Sequence, residues 1–207
     1  MTSNKTFSKI VLASGNAGKV REINHLFENF GIEVVPQSEL NVPEVPETGT
    51  TFVENAIIKA RHAAECTGLP AMADDSGIEV DALDARPGVY SARYAGEGCN
   101  DTDNNNKMLE ELNDVADEDR TARYQCIIVF MRDHNDPVPI ITQGSWEGRI
   151  LRAPQGDGGF GYDPIFYVPT HGCSGGELSL EVKNTLSHRS IALNAMLEEF
   201  KKHQFIA

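Results

Sequence analysis

The chain is poor in the features that mark several protein classes, and each shortage removes a function class. Basic residues are scarce beside acidic ones, 18 Lys and Arg against 31 Asp and Glu, for a formal net charge of −13. A field of that sign repels polyphosphate backbones, so a DNA- or RNA-binding module is a poor reading. A single nucleotide is not, because a local cluster of Lys with a cation can reverse the field in one place. The four cysteines (Cys66, Cys99, Cys126 and Cys173) form no C-x-x-C pair, and no His stands at metal-ligand spacing from them. That scatter fits a reducing compartment better than a disulfide framework or a zinc site. The polar stretch from Met1 to Lys9 is followed by an apolar run only one strand long. Neither a signal peptide nor a membrane span is expected, and cytoplasmic residence is the default. There is no internal repeat, low-complexity tract or linker.

What remains is ordinary globular material: 207 residues, 40% hydrophobic and 24% charged, enough to bury a full core. Ile10-Val-Leu-Ala13 reads as a buried strand entering the turn Ser14-Gly-Asn-Ala-Gly-Lys19. Val20, Ile23, Leu26, Phe27 and Phe30 share one helix face, Gly31 is a stop, and Ile32 to Val35 is a second strand. An extended loop with Pro43 and Pro46 follows. Thr51-Phe-Val-Glu54 has capping-box spacing, so a helix starts there and runs to Gly68. Pro70 to Ala73 reads as a short strand leading directly into Asp74-Asp75-Ser76-Gly77, which puts both acids at a strand end. Alternation marks Ile78 to Leu83, and Pro87 to Gly96 is an ordered loop. A helix through Lys107 to Leu112 is capped within the run from Asn100. Tyr124 to Met131 and Val138 to Trp146 form a hairpin, glycine-rich loops span 156–161 and 172–176, and a last helix begins near Ser187. One mixed α/β domain over residues 1–207 is expected, with residues 1–8 as a flexible extension.

Several residues have the chemistry of a phosphate site. Glycines between strand and helix let backbone N–H groups approach an anion, and Lys19 adds a point charge. The loop is not a Walker A motif: its glycines are too close together, and Val20 stands where a metal-binding Ser or Thr is required. Asp74 and Asp75 suit a hard cation such as Mg²⁺, with Glu44 and Glu47 of the proline-bearing loop completing the shell. A solvated turn explains the same letters. Ser187 is a good N-cap, placing His188 and Arg189 in a first turn where a basic pair favours an acceptor ligand. Phe160 and Tyr162 offer either a flat face for a base or ordinary core aromatics. Two letter matches fail on context. Gly156-x-Gly158-x-x-Gly161 is followed by Asp163-Pro164 and no helix, and Asp101-x-Asp103-x-Asn105 lacks the Gly and Glu of a calcium loop.

The order of these blocks is more informative than any one of them. Ser14-Gly-Asn-x-Gly-Lys19, Glu47-Thr-Gly49, Phe52-x-Glu-Asn55 with Lys59-x-Arg61, Ala73-Asp-Asp-Ser-Gly77, Pro87 to Tyr94, Gly159 to Phe166, and Lys183 with Ser187-His-Arg189 are all present in sequence. Together they resemble the inosine triphosphate pyrophosphatase family, the RdgB-like enzymes that remove dITP, ITP and XTP, over roughly residues 9 to 200. The resemblance implies an elongated, two-lobed α/β domain on a long curved mixed sheet with flanking helices, a cleft between the lobes, and homodimer assembly. It implies triphosphate binding by Ser14, Gly15, Asn16 and Lys19, with Lys59 nearby. Glu47 and Asp75 match the Mg²⁺ site, with Asp75 also the catalytic base and Asp74 supporting it. Ser76 matches a substrate contact; Phe160, Gly161, Tyr162, Asp163, Lys183, His188 and Arg189 match the base pocket. One departure is Ser190, where Gly is expected. The expected reaction is release of pyrophosphate by water attacking the α-phosphorus, with nucleotide as the small-molecule partner and neither nucleic acid nor membrane. A Maf-like pyrophosphatase with another base preference and a silent nucleotide sensor are the rivals.

Overall fold

The computed structural model describes residues 7–14, 17–28 and 30–206. In chain order the elements are β1 (Lys9–Leu12), α1 (Ala17–Glu28), β2 (Glu33–Pro36), α2 (Phe52–Thr67), β3 (Ala71–Val80), β4 (Arg86–Pro87), α3 (Asp101–Glu111), β5 (Thr121–Met131), β6 (Ile140–Ile150), β7 (Phe166–Val168), β8 (Cys173–Ser174), α4 (Leu180–Leu186) and α5 (His188–Lys202). The strands form one mixed sheet in the order β2-β1-β3-β5-β6-β7-β8, with β4 on β3. β1 runs parallel to both β2 and β3, whereas β6, β7 and β8 pair antiparallel in succession. This is the mixed α/β architecture expected from the alternation of strand and helix signals. Among the described residues no helix is long and apolar enough to cross a membrane.

The chain forms two compact units. The first comprises Met1–Asp75, Ile127–Gln143 and Ala192–Ala207; the second comprises Ser76–Cys126 and Gly144–Ile191. In the first unit α2 presents Ala56, Ala60, Ala63 and Ala64, all buried, to a cluster with Val11, Ala73, Val129 and Met131. Small side chains at that spacing let a helix lie close to the strands it covers. Phe27, Phe130, Phe200 and Phe205 fill the same unit, with edge-on Phe27–Phe200 and Phe130–Phe200 ring pairs 5.5 and 4.6 Å apart. The second unit is more aromatic: Tyr124, Trp146, Tyr162 and Phe166 pack with Met108, Leu112 and Ile165.

Local chemistry explains the element ends. The capping box at Thr51 forms, with Glu54 N–H donating to the Thr51 hydroxyl, and Gly68 closes α2 in the left-handed region at φ 67°. Asn100 and Asp103 build a second capping box on α3. Several side chains of the polar run that follows are buried and bonded within the fold rather than solvated. Asn104 accepts from Ala95 N–H at 2.8 Å and donates to Ala92 C=O at 3.3 Å. Asn105 donates to Gly161 C=O at 3.1 Å, and Asp101 accepts from Gly161 N–H at 2.6 Å.

One expectation requires correction. β3 does not stop at Ala73 but continues to Val80, so Asp74 and Asp75 lie inside a strand. Buried Ile78 and Val80 hold the continuation, and lysine partners offset the acids. The last helix, α5, begins at His188 next to Ser187 as expected, and a further short helix, α4, precedes it. The residues of the 87–96 loop include a short 3₁₀ turn over Gly88–Arg93. Ser187 does cap α5, accepting from Ser190 N–H at 3.3 Å, and the Ser190 hydroxyl donates to Ser187 C=O at 2.8 Å. Ser190 in place of Gly thus joins the cap.

The β5–β6 turn is stapled by a buried carboxylate. Asp136 accepts from Arg132 N–H at 3.0 Å, Arg132 Nε at 2.8 Å and Val138 N–H at 3.1 Å, and pairs with the Arg132 guanidinium. Burial opposes its charge, but these donors outweigh burial and hold its carboxyl below the ordinary value. Such a group stabilises the fold above its unfolded value of about 3.9 and loses that contribution as pH falls through the folded value. Asp136→Asn is therefore expected to cost about 1–3 kcal/mol at pH 7. The gap from the parent should narrow below about pH 4, as read by urea melts at several pH values. A gap that stays constant with pH would remove charge from the explanation.

Candidate active site

Two groups of residues that the sequence singles out are assembled, one in each unit. In the first, three elements contribute: α1 supplies Lys19, α2 supplies Asn55 and Lys59, and β3 supplies Asp74 and Asp75, with Glu47 from the loop before α2. Lys19 Nζ pairs with Asp74 at 2.7 Å, and Asp74 is almost fully buried. Lys59 Nζ sits between two carboxylates, 2.8 Å from Glu47 and 3.0 Å from Asp75. Three acids against two lysines leave this group one negative charge in excess. Ser14, two residues beyond β1, is half-buried; Gly15 and Asn16 lie outside the described residues. Glu44 is exposed, so Glu47 alone of the two candidate glutamates joins the group.

The electrostatics follow from burial. Burial pushes the Asp75 carboxyl above its ordinary value, while the Lys59 ammonium and the Asn55 amide pull it back. Burial opposes the Lys59 charge, but Asp75, Asp74 and Glu47 outweigh it and raise that ammonium. The donor set is also informative about a cation. A lysine ammonium occupying the space between two carboxylates stands where a positive ion would stand. Two carboxylates are the complement Mg²⁺ takes when phosphates supply its other ligands. The residues fit such an ion.

The second group lies on the loop 159–163, α4 and the start of α5. Asp163 is buried, accepts from Phe160 N–H at 2.7 Å and Tyr124 OH at 3.4 Å, and pairs with the Lys183 ammonium. Gly159 makes this possible: at φ 77° a side chain is strained, and a Cβ would collide with the Asp163 carboxylate. Phe160 is 54% exposed, with Lys183 Nζ 4.7 Å and the Arg189 guanidinium carbon 5.8 Å from its ring centre. Arg189 also donates to the Ser76 hydroxyl at 3.5 Å. His188 stacks flat on Tyr124, rings 4.7 Å apart.

The two aromatics of the loop part company here. Tyr162 is buried and donates its hydroxyl to Ser91 C=O at 2.7 Å, so it is a core aromatic, and Phe160 alone keeps an exposed face. The Asp163 carboxylate is bonded to the loop and to Lys183. Asn55, Asp101 and Asn105 were given no role by the sequence reading. Asp101 and Asn105 lie in a polar stretch that composition alone reads as solvated, and Asn55 stands in the Phe52-x-Glu-Asn55 block with no role attached.

Comparison with known proteins then supplies context. A model of the Ham1 family matches residues 10–199. The dITP/XTP pyrophosphatase of Vibrio cholerae is 58% identical over 196 residues, covering 95% of this chain and 98% of that protein. The dITP/XTP pyrophosphatase of Escherichia coli O157:H7 is 54% identical over 193 residues, with 93% and 98% coverage. Among solved structures, a HAM1 protein from Coxiella burnetii superposes with a TM-score of 0.90 at 50% identity, covering 94% of this chain and 98% of its own. The Staphylococcus aureus Ham1 protein gives 0.85 at 41% identity, with 95% and 99% coverage.

Proposed function

The chain belongs to the Ham1 family, and from that premise we propose that it hydrolyses dITP, ITP and XTP to the nucleoside monophosphate and pyrophosphate. In the cell this keeps deaminated purines out of DNA and RNA. The observation that carries the reading is the Lys59 ammonium held between Glu47 and Asp75, beside the Lys19–Asp74 pair. That arrangement combines paired acids for a cation and a proton with two cations for phosphate oxygens.

Glu47 and Asp75 would hold Mg²⁺, which when bound offsets phosphate charge and lowers the pKa of water. Asp75 orients the attacking water and accepts its proton. The water oxygen bonds to the α-phosphorus as the bond from that phosphorus to the bridging oxygen breaks. Pyrophosphate leaves with the electron pair. Lys19 and Lys59 meet the charge on the departing group, and Asp74 keeps Lys19 in position. Ser14, Gly15 and Asn16 complete the triphosphate contacts.

Base selection rests on the second group. Phe160 offers a face for the purine, while Lys183 and Arg189 donate toward a 6-oxo group and Ser76 and His188 define its surroundings. Adenine would present its amino group to donors, and each buried polar group left unpaired costs about 1–3 kcal/mol. Homodimer assembly and a cytoplasmic setting belong to the same proposal.

Pyrophosphate release from ITP, dITP, XTP, GTP, ATP and dTTP with excess Mg²⁺ tests it. Strong preference for the first three is expected. Comparable turnover of ATP and ITP would sink the base-pocket reading, and a preference for another base would favour a Maf-like specificity. No pyrophosphate from any nucleotide would sink the enzyme reading in favour of a sensor.

A further inference from the structure

We propose that Asn55 is a positioning residue for both carboxylates of the proposed cation site. The inference rests on the function proposed above and concerns a residue that reading left without a role. Asn55 is fully buried in the first turn of α2. A buried amide must satisfy both its ends, and this one does so on two different partners. Its Oδ1 accepts from Gly49 N–H at 2.8 Å, and its Nδ2 donates to Asp75 Oδ2 at 3.3 Å.

The two bonds act on the two acids at once. Gly49 lies two residues beyond Glu47, so the bond to its N–H fixes the loop that carries that glutamate. The amide donor takes Asp75 Oδ2, whereas Lys59, one helical turn along the same face, takes Oδ1. The Asp75 carboxylate is thereby gripped on both oxygens from one helix. Lys59 carries charge and competes with a cation for the acids; Asn55 is neutral and does not. It can hold the rotamer of Asp75 without lessening its affinity for an ion. Residues that orient ligands in this way act through ligand geometry.

Gly49 is built around the same contact. A Cβ there would lie 2.7 Å from Asn55 Oδ1 and 2.6 Å from the Glu54 Cβ, closer than real Cβ atoms come. The backbone approaches the amide so tightly that only glycine fits. The capping box of Thr51 and Glu54 sets where α2 begins and so where Asn55 points. Helix start, loop path and carboxylate orientation therefore meet at one side chain.

Mn²⁺ binding, followed by electron paramagnetic resonance with α,β-imido-ITP present, tests the proposal without turnover. Asn55→Ala is expected to raise the Mn²⁺ midpoint about 10- to 100-fold. The kcat/KM for ITP should fall comparably at limiting Mg²⁺ and recover at saturating Mg²⁺. Gly49→Ala, which leaves the amide in place but pushes on it, should shift the midpoint in the same direction and serves if the first variant does not fold. Asp136→Asn is the control, since it loosens the first unit at the β5–β6 turn and should lower Tm without moving the midpoint. An unchanged midpoint in folded Asn55→Ala, or in Gly49→Ala, overturns the proposal. So does an equal shift in Asp136→Asn, which would make the effect one of stability. A parent protein that binds Mn²⁺ but releases no pyrophosphate would refute the function while leaving the Asn55 test intact.

Discussion

Asp75→Asn is expected to lower kcat on ITP by about 100- to 10,000-fold, the range a general base contributes. The substitution keeps size and shape while removing both the proton acceptor and one of the two carboxylates facing Lys59. Nucleotide affinity should change far less, because Lys19 and Lys59 stay and Lys59 keeps Glu47. The fold should also persist, since neutralising a buried carboxylate removes a desolvation penalty along with an ion pair. Single-turnover kinetics with a parallel binding titration separates these effects. Near-parental kcat in the variant would take Asp75 out of the chemistry and leave it a structural partner of Lys59.

A second large effect is expected far from any proposed chemistry. Arg120 is 2% exposed, and its guanidinium donates to three backbone carbonyls: Ile150 at 2.8 Å, Leu112 at 2.5 Å and Leu151 at 2.8 Å. Leu112 closes α3, so the cation also sits at the negative end of that helix. Arg120→Met fills much of the same space but leaves three carbonyls without their donor. A loss of about 3–5 kcal/mol is expected. For a chain of this size that lowers Tm by roughly 6–20 °C. Calorimetry measures it, and ITP turnover well below Tm should stay near parental. A Tm within a degree or two of the parent would mean that water replaces the guanidinium at these carbonyls.

Sequence reading was strong where local chemistry decides the outcome. The Thr51–Glu54 capping box, the Gly68 stop, the cap of α3 and the Ser187 cap are set by residues a few positions apart, and they stand in the structure. It failed where distant residues decide. Two aspartates in a row are poor strand formers, so Asp74 and Asp75 read as the turn after a strand. Lys19 and Lys59, 55 and 16 residues away respectively, make strand conformation tolerable there. The same distance effect hid Asn55, whose partners become neighbours only once α2 lies along β3. Tyr162 and Phe160 differ by two positions and carry the same chemistry in letters. A carbonyl at Ser91 assigns one of them to the core.

The amide-rich run on α3 has a consequence for how long the molecule lasts. Asparagine side chains lose ammonia over time when the next backbone nitrogen can close onto them, and thermolabile residues of this kind limit protein lifetime. A carboxylate at Asn104 or Asn105 would turn a donor into a charge facing the carbonyl of Ala92 or Gly161. The helix withholds the required nitrogen by keeping it in its own hydrogen-bonded turn. Chemical ageing of this segment is therefore governed by how often α3 opens. The Asn100–Asp103 cap, which closes the first turn of α3, is one of the contacts that sets that rate.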